Sequence, residues 1–279
     1  MQKKYLYGLV VAVIVLVVVS LIALTNKPVP SNPGLASYDN QIVPQSLISM
    51  LKVPANVSNA VNVSKSESNR VVAPLTRTGI NATPLEVNGK PLMLYIGAEY
   101  CPYCAAERWA MTVALLRFGN FTNLKYMTSS QVDVDAGTPT FTFYNATYTS
   151  PYLTFIAVET TTNKPANSSY KGQTIDGYPV LQIPNSSENN LFSTYNPGGS
   201  IPFVDIANRS VQIGASYDPA IVLDGQNWTQ VATELHNPGS IQAEAILSTA
   251  NMFTAQICLA DGNQPASVCS QPYVTALEK

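Results

Sequence analysis

Two cysteines separated by two residues, Cys101 and Cys104, are the part of this sequence best suited to chemistry. An apolar run at 91–97 precedes them, and a segment with helix-like apolar spacing at 105–118 follows them. This order predicts a buried strand that leads into C-x-x-C and a helix that begins there. Because amide N–H groups at a helix N-terminus are unpaired, a sulfur at that position has a lowered pKa. The pattern therefore predicts a redox pair, with Cys101 as the exposed nucleophile and Cys104 as the shielded resolving thiol.

Two other interpretations of the C-x-x-C pair were weighed. A structural zinc site needs four ligands, and beyond this pair the chain offers only Cys258, Cys269 and one histidine, His236. A structural disulfide between Cys101 and Cys104 would close almost no loop and would add little stability. Redox chemistry is therefore the favoured interpretation, and no metal is expected.

The residues next to the sulfurs are expected to set how the pair reacts. Pro102 stiffens the turn, and together with Tyr103 it tunes the stability of the thiolate and hence the redox potential. Glu107 has two open interpretations, a proton relay beside the sulfurs or a negative charge that favours the helix N-terminus. The sequence leaves the role of Arg108 open. Trp109 is also ambiguous, but its ring is expected to pack in the core rather than to take part in catalysis.

A second cysteine pair lies near the C-terminus, where ten residues separate Cys258 from Cys269. A helix end, a Gly-Asn turn and a returning strand would bring the two sulfurs together. We expect a structural disulfide that stabilises the fold by about 3 kcal/mol through loop closure. The alternative is a second redox pair that passes electrons to Cys101.

The N-terminal segment indicates membrane attachment. Lys3 and Lys4 precede an uncharged apolar run at 5–24, long enough to span about 30 Å of hydrocarbon as a helix. A good signal-peptidase site is missing, so residues 1–25 are expected to form an uncleaved transmembrane signal-anchor. The basic residues place the N-terminus in the cytoplasm, the Pro-rich stretch 26–37 reads as a stalk, and 38–279 is expected to form an extracytoplasmic domain.

Glycosylation sequons and an even number of cysteines both fit an oxidising exterior. The candidate acceptors are the nine N-x-[S/T] asparagines Asn56, Asn62, Asn81, Asn120, Asn145, Asn167, Asn185, Asn208 and Asn227.

The composition excludes several classes of function. Charged residues make up 11% of the chain, against about 25% in typical soluble proteins, and the net charge is −2. No basic surface for nucleic acid is expected, and the absence of phosphate-loop and dinucleotide motifs predicts no cofactor. A surface with few ionisable groups changes its charge little at low pH, which suggests the hypothesis of an acidic habitat.

The pattern of apolar residues predicts an α/β fold. The expected elements are a leading helix within 42–63, strands at 91–97, 124–128, 140–144 and 152–158, a strand–turn–strand unit at 201–214, and helices at 226–236 and 241–259. Asn227 is a plausible N-cap for the first of the last two helices. Residues 160–200 give the weakest signal and are expected to form a loop or small subdomain over one face.

This order of elements resembles the thioredoxin fold. In that family a cis-proline before a β-hairpin packs against the active-site cysteines. The resemblance implies that Pro202, through the Ile201–Pro202 bond, takes that position and that Tyr100 lines the substrate groove. The distance along the chain to Pro202 is much longer than in minimal thioredoxins and resembles the DsbA-like branch, with a β-rich insertion at about 131–200.

Three blocks of sequence resemble one uncharacterised family of thioredoxin-like proteins, which is often membrane-anchored and found notably in thermoacidophilic archaea. The blocks are 95–109, 138–144 and 264–269, and the resemblance covers most of 40–270. The Pro102–Tyr103 dipeptide is also similar to that of glutaredoxins. The family implies fold and location more than substrate.

Three functions follow as expectations, of which the third is a reductant that supplies a metalloprotein or a membrane complex. The first is a membrane-tethered, extracytoplasmic thiol–disulfide oxidoreductase that acts on thiols of secreted or envelope proteins together with an unidentified redox partner. The second is a non-enzymatic envelope glycoprotein that uses a thioredoxin-like domain as an interaction module, with Cys101 and Cys104 permanently closed.

Overall fold

A mixed sheet built around the strand that leads to the cysteine pair organises the protein. The computed structural model describes residues 34–61, the backbone of 75–76, and 84–278. In these ranges the strands are β1 (Leu75–Thr76), β2 (Glu86–Val87), β3 (Lys90–Gly97), β4 (Asn120–Thr122), β5 (Lys125–Thr128), β6 (Pro139–Thr142), β7 (Thr147–Thr149), β8 (Thr154–Glu159), β9 (Thr174–Ile175), β10 (Tyr178–Pro179), β11 (Phe203–Ile206) and β12 (Ser210–Ile213).

Helices cover both faces of this sheet. After a 3₁₀ turn at Leu35–Tyr38, the helices of the described ranges are α1 (Gln45–Leu51), α2 (Ala55–Ala60), α3 (Pro102–Leu115), α4 (Ser186–Tyr195), α5 (Pro219–Val222), α6 (Trp228–Glu234), α7 (Ser248–Asp261), α8 (Ala266–Cys269) and α9 (Pro272–Thr275). A π-helical segment, Ala243–Leu247, leads directly into α7.

The central sheet has the order β1-β12-β11-β3, with β8 and β2 on the other edge of β3. Strands β3 and β8 are parallel, with Leu92 opposite Thr154 and Gly97 opposite Glu159. Strand β11 is antiparallel to β3, with Phe203 opposite Ile96, and β12 is antiparallel to β11. The end of β3 and the start of β11 therefore lie side by side, which brings the segment after β3 next to the segment before β11.

Side chains of β3 alternate between two cores, because successive residues of a strand point to opposite faces. Met93 and Tyr95 join the larger core, which contains α3 and α7. Leu92, Leu94 and Ile96 join a smaller core that α4 covers with apolar side chains. Strand β3 is thus buried on both faces, as its continuous apolar run predicts.

The expected fold included an N-terminal transmembrane helix, and that part of the fold prediction is wrong for the structure described. No helix in the described residues is long and apolar enough to cross a membrane. The longest α-helices there, α3 and α7, have 14 residues each. Each of them is about 21 Å long, shorter than the roughly 30 Å hydrocarbon core of a bilayer, and both are packed inside the domain. The run at 5–24 and the first part of the stalk, residues 26–33, lie outside the described residues. What the structure supports is a mixed α/β fold.

Several local elements differ from the expectation. The strand at Lys125–Thr128 pairs with β6 in a separate two-stranded sheet and does not join the central one. Within 131–200, β8 lies in the central sheet, and the helix α4 occupies a part of the weakest stretch. The strand before the cysteines, the helix after them and the Asn227 N-cap are confirmed.

The C-terminal cysteines are joined in the structure. Cys258 near the end of α7 and Cys269 at the end of α8 form a disulfide with Cα atoms 5.6 Å apart. Gly262, at a φ of 73°, ends α7 in the left-handed conformation that glycine adopts easily. The segment that returns to Cys269 is a short helix, so the expected returning strand is wrong.

Removing this disulfide should lower stability without removing the redox pair. A Cys258→Ala/Cys269→Ala variant should lose about 3 kcal/mol of unfolding free energy, because the bridge closes a short loop of the unfolded chain. Urea unfolding of the variant and the wild type, both without reductant, measures the difference. An unchanged urea midpoint would contradict a stabilising role.

Candidate active site

The Cys101–Cys104 pair lies between the end of β3 and the start of α3. Cys101 is the N-cap of α3, and its sulfur accepts a hydrogen bond from the backbone N–H of Cys104 at 3.2 Å. Pro102 occupies the first turn of the helix, where its missing N–H costs nothing. The structure holds both cysteines as free thiols. A sulfur that caps a helix in this way is favoured as an anion.

Cys101 is less accessible than expected, whereas Cys104 is shielded as predicted. Cys101 is 5% exposed, and Cys104 is fully buried. They form a small apolar cluster with Ala98, against which Tyr100 and Ile201 pack. The prediction that Cys101 is exposed is therefore wrong in degree, because these neighbours cover it, although it remains the more accessible of the two thiols.

The fold brings Pro202 to this cluster. The Ile201–Pro202 bond is cis, and Pro202 immediately precedes β11, the strand beside β3. Gln264–Pro265, far along the chain, is also cis. Ile201 packs against the cysteine cluster and Pro202 follows it, which is the placement that the thioredoxin-like resemblance implies.

The two thiols differ in acidity. A hydrogen bond from the Cys104 thiol lowers the pKa of Cys101; burial opposes this, and the N–H of Cys104 and the charge of Arg108 lower it further. Burial raises the pKa of Cys104 well above its ordinary value, and the neighbouring Cys101 sulfur adds to that rise. The pair is therefore asymmetric, with a thiolate favoured at Cys101 and a proton retained at Cys104.

A buried arginine lies beneath the pair. Arg108 is fully buried and pairs with Glu159, through Nε at 2.9 Å from Oε1 and Nη2 at 3.2 Å from Oε2. The same guanidinium donates to the Tyr95 hydroxyl at 3.1 Å and to the Ala98 carbonyl at 2.6 Å. Burial alone would lower the pKa of Arg108, but the charges of Glu159, Tyr95, Cys104 and Glu99 together outweigh it, so the pKa is raised and the group stays charged. The site therefore has a fixed positive charge acting on both sulfurs.

Glu99 is a buried acid whose charge interacts with this network. Its carboxylate accepts a hydrogen bond from Thr142 Oγ1 at 2.6 Å, and burial, aided by the charge of Glu159, raises its pKa to about 7. Glu99 also lines a cavity of about 320 Å³ together with Asn163 and Lys164. It is two residues from Cys101, so a group that titrates near neutral pH lies close to the redox pair.

Glu107 has a structural partner. Its two carboxylate oxygens accept from the Ser216 backbone N–H at 2.7 Å and from Ser216 Oγ at 2.9 Å. The side chain is fully buried, and burial raises its pKa to about 7 despite these bonds. The observed contacts fix α3 to the segment after β12, while a proton relay at the sulfurs remains a prediction.

These two glutamates should make the domain more stable in mild acid. Their folded pKa values of about 7 exceed the ordinary 4.5, so the folded state prefers the protonated carboxyls. This stabilisation is complete below pH 4.5 and is lost as the pH rises through 7. Each shift corresponds to about 3 kcal/mol, so the unfolding free energy should be several kcal/mol higher at pH 4.5 than at pH 7.5.

Urea unfolding across this pH range measures the effect, and a Glu107→Gln variant is the control. The amide still accepts from Ser216 but does not titrate, so the pH dependence should become shallower. Equal or lower stability at pH 4.5 in the wild type would contradict the prediction and the hypothesis of an acidic habitat.

Tyr100 and Tyr103 lie on two sides of the pair. The Tyr100 hydroxyl donates to Asp176 Oδ2 at 2.7 Å, and its ring stacks on Tyr178 with centroids 4.2 Å apart. Asp176 and Tyr178 belong to the hairpin of β9 and β10, which therefore lies against the residue that precedes Cys101. Tyr103 is exposed at the start of α3. The segment that carries Cys101 is thus bordered by aromatic rings.

Most candidate glycosylation sites lie at the surface. Asn62 and Asn81 are outside the described residues. The exposed asparagines are Asn56, Asn120, Asn145, Asn167 and Asn185. Asn208 and Asn227 are half-buried, and Asn185 and Asn227 cap helices through Oδ1, which leaves the amide nitrogen for another role.

A comparison with protein families gives one match. The family described as "Domain of unknown function (DUF929)" matches residues 77–259, more than half of the chain. The chain belongs to the DUF929 family. Comparisons with curated proteins and with solved structures found no significant match. The matched range of this DUF929 protein contains the redox pair, Arg108, Glu159 and Pro202, and it ends one residue after Cys258.

Sequence reasoning missed several polar residues of the DUF929 site, notably Glu99, Glu159 and Ser216. The sequence could have indicated a buried partner for Glu159, because this charged residue ends an apolar strand and would be costly to bury unpaired. Arg108 carried a similar signal on a helix whose neighbours are apolar. Within the described residues, no group of three or more His, Cys, Asp or Glu side chains could hold a metal ion.

Proposed function

We propose that this protein is a thiol–disulfide oxidoreductase that acts on protein thiols through Cys101 and Cys104. The observation that carries the proposal is the asymmetry of the pair, one sulfur capping a helix with a lowered pKa and the other buried with a raised pKa. A thiolate is both the better nucleophile and the better leaving group in disulfide exchange. The lowered pKa of Cys101 favours the dithiol form and hence oxidation of substrates.

The exchange proceeds in two balanced steps from the disulfide form of the protein. A substrate thiolate attacks the Cys101 sulfur, which forms a mixed disulfide and breaks the bond to Cys104. Cys104 leaves as a thiolate and takes up a proton, as its raised pKa favours. A second thiolate of the substrate then attacks the substrate sulfur of the mixed disulfide, which forms the substrate disulfide and releases Cys101 as a thiolate. The substrate loses two electrons to the pair, and a separate disulfide is the acceptor that restores it.

Membership of the thioredoxin-like superfamily is part of the proposal. The supporting observations are the strand order β8-β3-β11-β12, the C-x-x-C pair between β3 and α3, and Pro202 immediately before β11. The disulfide between Cys258 and Cys269 supports action in an oxidising, extracytoplasmic compartment, where such bonds persist.

The test is a redox titration of the purified protein in thiol–disulfide buffers, with mass-spectrometric mapping of all four sulfurs. We expect a reversible potential for Cys101 and Cys104 between about −120 and −270 mV, while Cys258 and Cys269 stay closed. A potential below about −300 mV, without turnover of a dithiol peptide, would overturn the proposal and favour the interaction-module alternative.

A further inference from the structure

Exposed apolar side chains lie on three segments that carry or border the Cys101–Cys104 pair. Tyr103 is 43% exposed, Val132 72%, Val134 54% and Ile175 42%. They lie on three segments, the start of α3, the loop 130–136, and the hairpin of β9 and β10. We call these four side chains the apolar rim. Exposed apolar groups that cluster beside a reactive group indicate a surface for another molecule.

Hydrogen bonds and a ring stack hold the loop and the hairpin against the Cys101 segment. The Ser130 N–H donates to the Tyr100 carbonyl at 2.9 Å, and the Tyr178 hydroxyl donates to Ser130 Oγ at 2.9 Å. The hairpin also holds Tyr100 through Asp176 and through the stacked Tyr178 ring. The apolar rim is therefore built onto the residue next to Cys101.

Acidic side chains accompany the apolar rim. Asp133 and Asp135 lie in the same loop as Val132 and Val134, and Asp218 caps α5, a helix that packs against α3. In agreement with this placement, burial and then the charges of Asp135, Asp218, Cys101 and Asp133 raise the pKa of Tyr103. Asp135 in turn interacts with Asp218, Asp224 and Asp133. The charges that act most strongly on Tyr103 and Asp135 are all negative. They belong to aspartates and, for Tyr103, also to Cys101. Arg108 is buried beneath the sulfurs and paired with Glu159, so its charge does not reach this surface as a free cation.

We propose that the apolar rim and its carboxylates select, as substrates of Cys101, cysteine-containing polypeptide segments in which basic side chains flank apolar ones. This inference rests on the proposed function, and it names the class of protein thiol on which that function acts. Apolar substrate side chains cover the rim, while lysine or arginine side chains meet Asp133, Asp135 and Asp218. Such charge complementarity raises the association rate and is weakened by salt.

The experiment compares two dithiol peptides that differ only in the residues flanking their cysteines, lysine in one and glutamate in the other. The protein is first converted to its Cys101–Cys104 disulfide form, and each peptide then reduces it in a single turnover while becoming a disulfide itself. We expect the basic peptide to react about tenfold faster or more at low salt, with the ratio shrinking toward one in high salt.

A variant with Asp133→Asn, Asp135→Asn and Asp218→Asn should bring that ratio to about two or less. Asparagine retains the N-cap that Asp218 gives to α5, and it tolerates the left-handed conformation of Asp135, whose φ is 47°. Loss of the ratio is therefore separable from loss of fold, which circular dichroism of the variant checks.

The matched control carries Glu86→Gln, Glu188→Gln and Glu234→Gln, which remove the same charge from β2, α4 and α6. It should keep the full preference for the basic peptide. Equal rates for the two peptides with the wild type, or an equal loss of preference in both variants, would overturn the inference and leave the proposed function intact. Failure to oxidise either peptide would overturn the proposed function and the inference with it.

Discussion

A Cys104→Ser variant should remain covalently attached to a disulfide substrate through Cys101, whereas a Cys101→Ser variant should form no adduct and lose turnover. In the reverse direction, from the dithiol form, Cys101 attacks the substrate disulfide because its pKa is lowered, and Cys104 then attacks the Cys101 sulfur of the mixed disulfide and releases the product. Without Cys104, the mixed disulfide has no internal partner that resolves it. Without Cys101, the remaining sulfur is fully buried with a raised pKa. Turnover should then fall by about 10³-fold, since members of one catalytic unit do not replace each other.

Mass spectrometry after reaction with a model disulfide measures the adduct and its position. Both substitutions exchange sulfur for oxygen at nearly constant volume, so unfolding by urea should show folded proteins in both cases. The Cys258–Cys269 bridge, distant in sequence, serves as the internal control and should stay closed throughout. An adduct that maps to Cys104, or equal adduct yields in the two variants, would reverse the assigned roles.

Local features of the site were accessible from sequence because they depend on short stretches of chain. The continuous apolar run of β3, the helical spacing of α3 and the capping position of Asn227 follow from residues within a few positions of one another. The same holds for the identity of the reactive pair. Helix α4 carried such a signal as well, a capping box between Asn185 and Glu188, but its polar composition obscured it.

The partners of the site were not accessible, because they join residues far apart in sequence. Arg108 meets Glu159 from 51 positions away, and Glu107 meets Ser216 from 109 positions away. Such pairs form only once the parallel pairing of β3 with β8 and the hairpin of β11 and β12 are in place. A single sequence shows which charged residues lie among apolar neighbours along the chain, but it does not show which of them pair with each other. The burial of Cys101 is missed for the same reason, since Ile201, which packs against its cluster, is far from it in sequence.

Variants of the buried ion pair should move the redox potential in opposite directions. Glu159→Gln leaves the Arg108 charge without its counterion, which should lower the pKa of Cys101 and make the pair more oxidising. The double variant Arg108→Met/Glu159→Gln removes both charges. Because Arg108 acts directly on both sulfurs, the pKa of Cys101 should then rise and the pair should become more reducing.

The expected size follows from the linkage between thiolate stability and potential. An opposite charge within a few ångströms shifts a pKa by about 1–3, and a shift of one in one thiol corresponds to about 1.4 kcal/mol, or about 30 mV for this two-electron couple. We therefore expect a potential at least about 30 mV more negative for the double variant and a change of opposite sign for Glu159→Gln. The readouts are the redox titration and the pH dependence of Cys101 alkylation.

Two charges are removed together because the single change Arg108→Met would leave Glu159 buried without a partner, which costs about 3–5 kcal/mol and endangers the fold. Glu159→Gln likewise leaves the Arg108 charge buried without a counterion, although the glutamine oxygen can still accept from Arg108 Nε, so urea unfolding must show that this variant is folded before its potential is measured. A Lys125→Met variant controls for the loss of a positive charge in general and should leave the potential unchanged. Lys125 is a half-buried cation of β5 that takes no part in the ion pair seen among the described residues. A merely structural ion pair would alter stability in both variants and leave the potential where it is. Opposite shifts of potential would instead show that the fold uses a buried guanidinium to hold the Cys101 thiolate, and that Glu159 limits how strongly it does so.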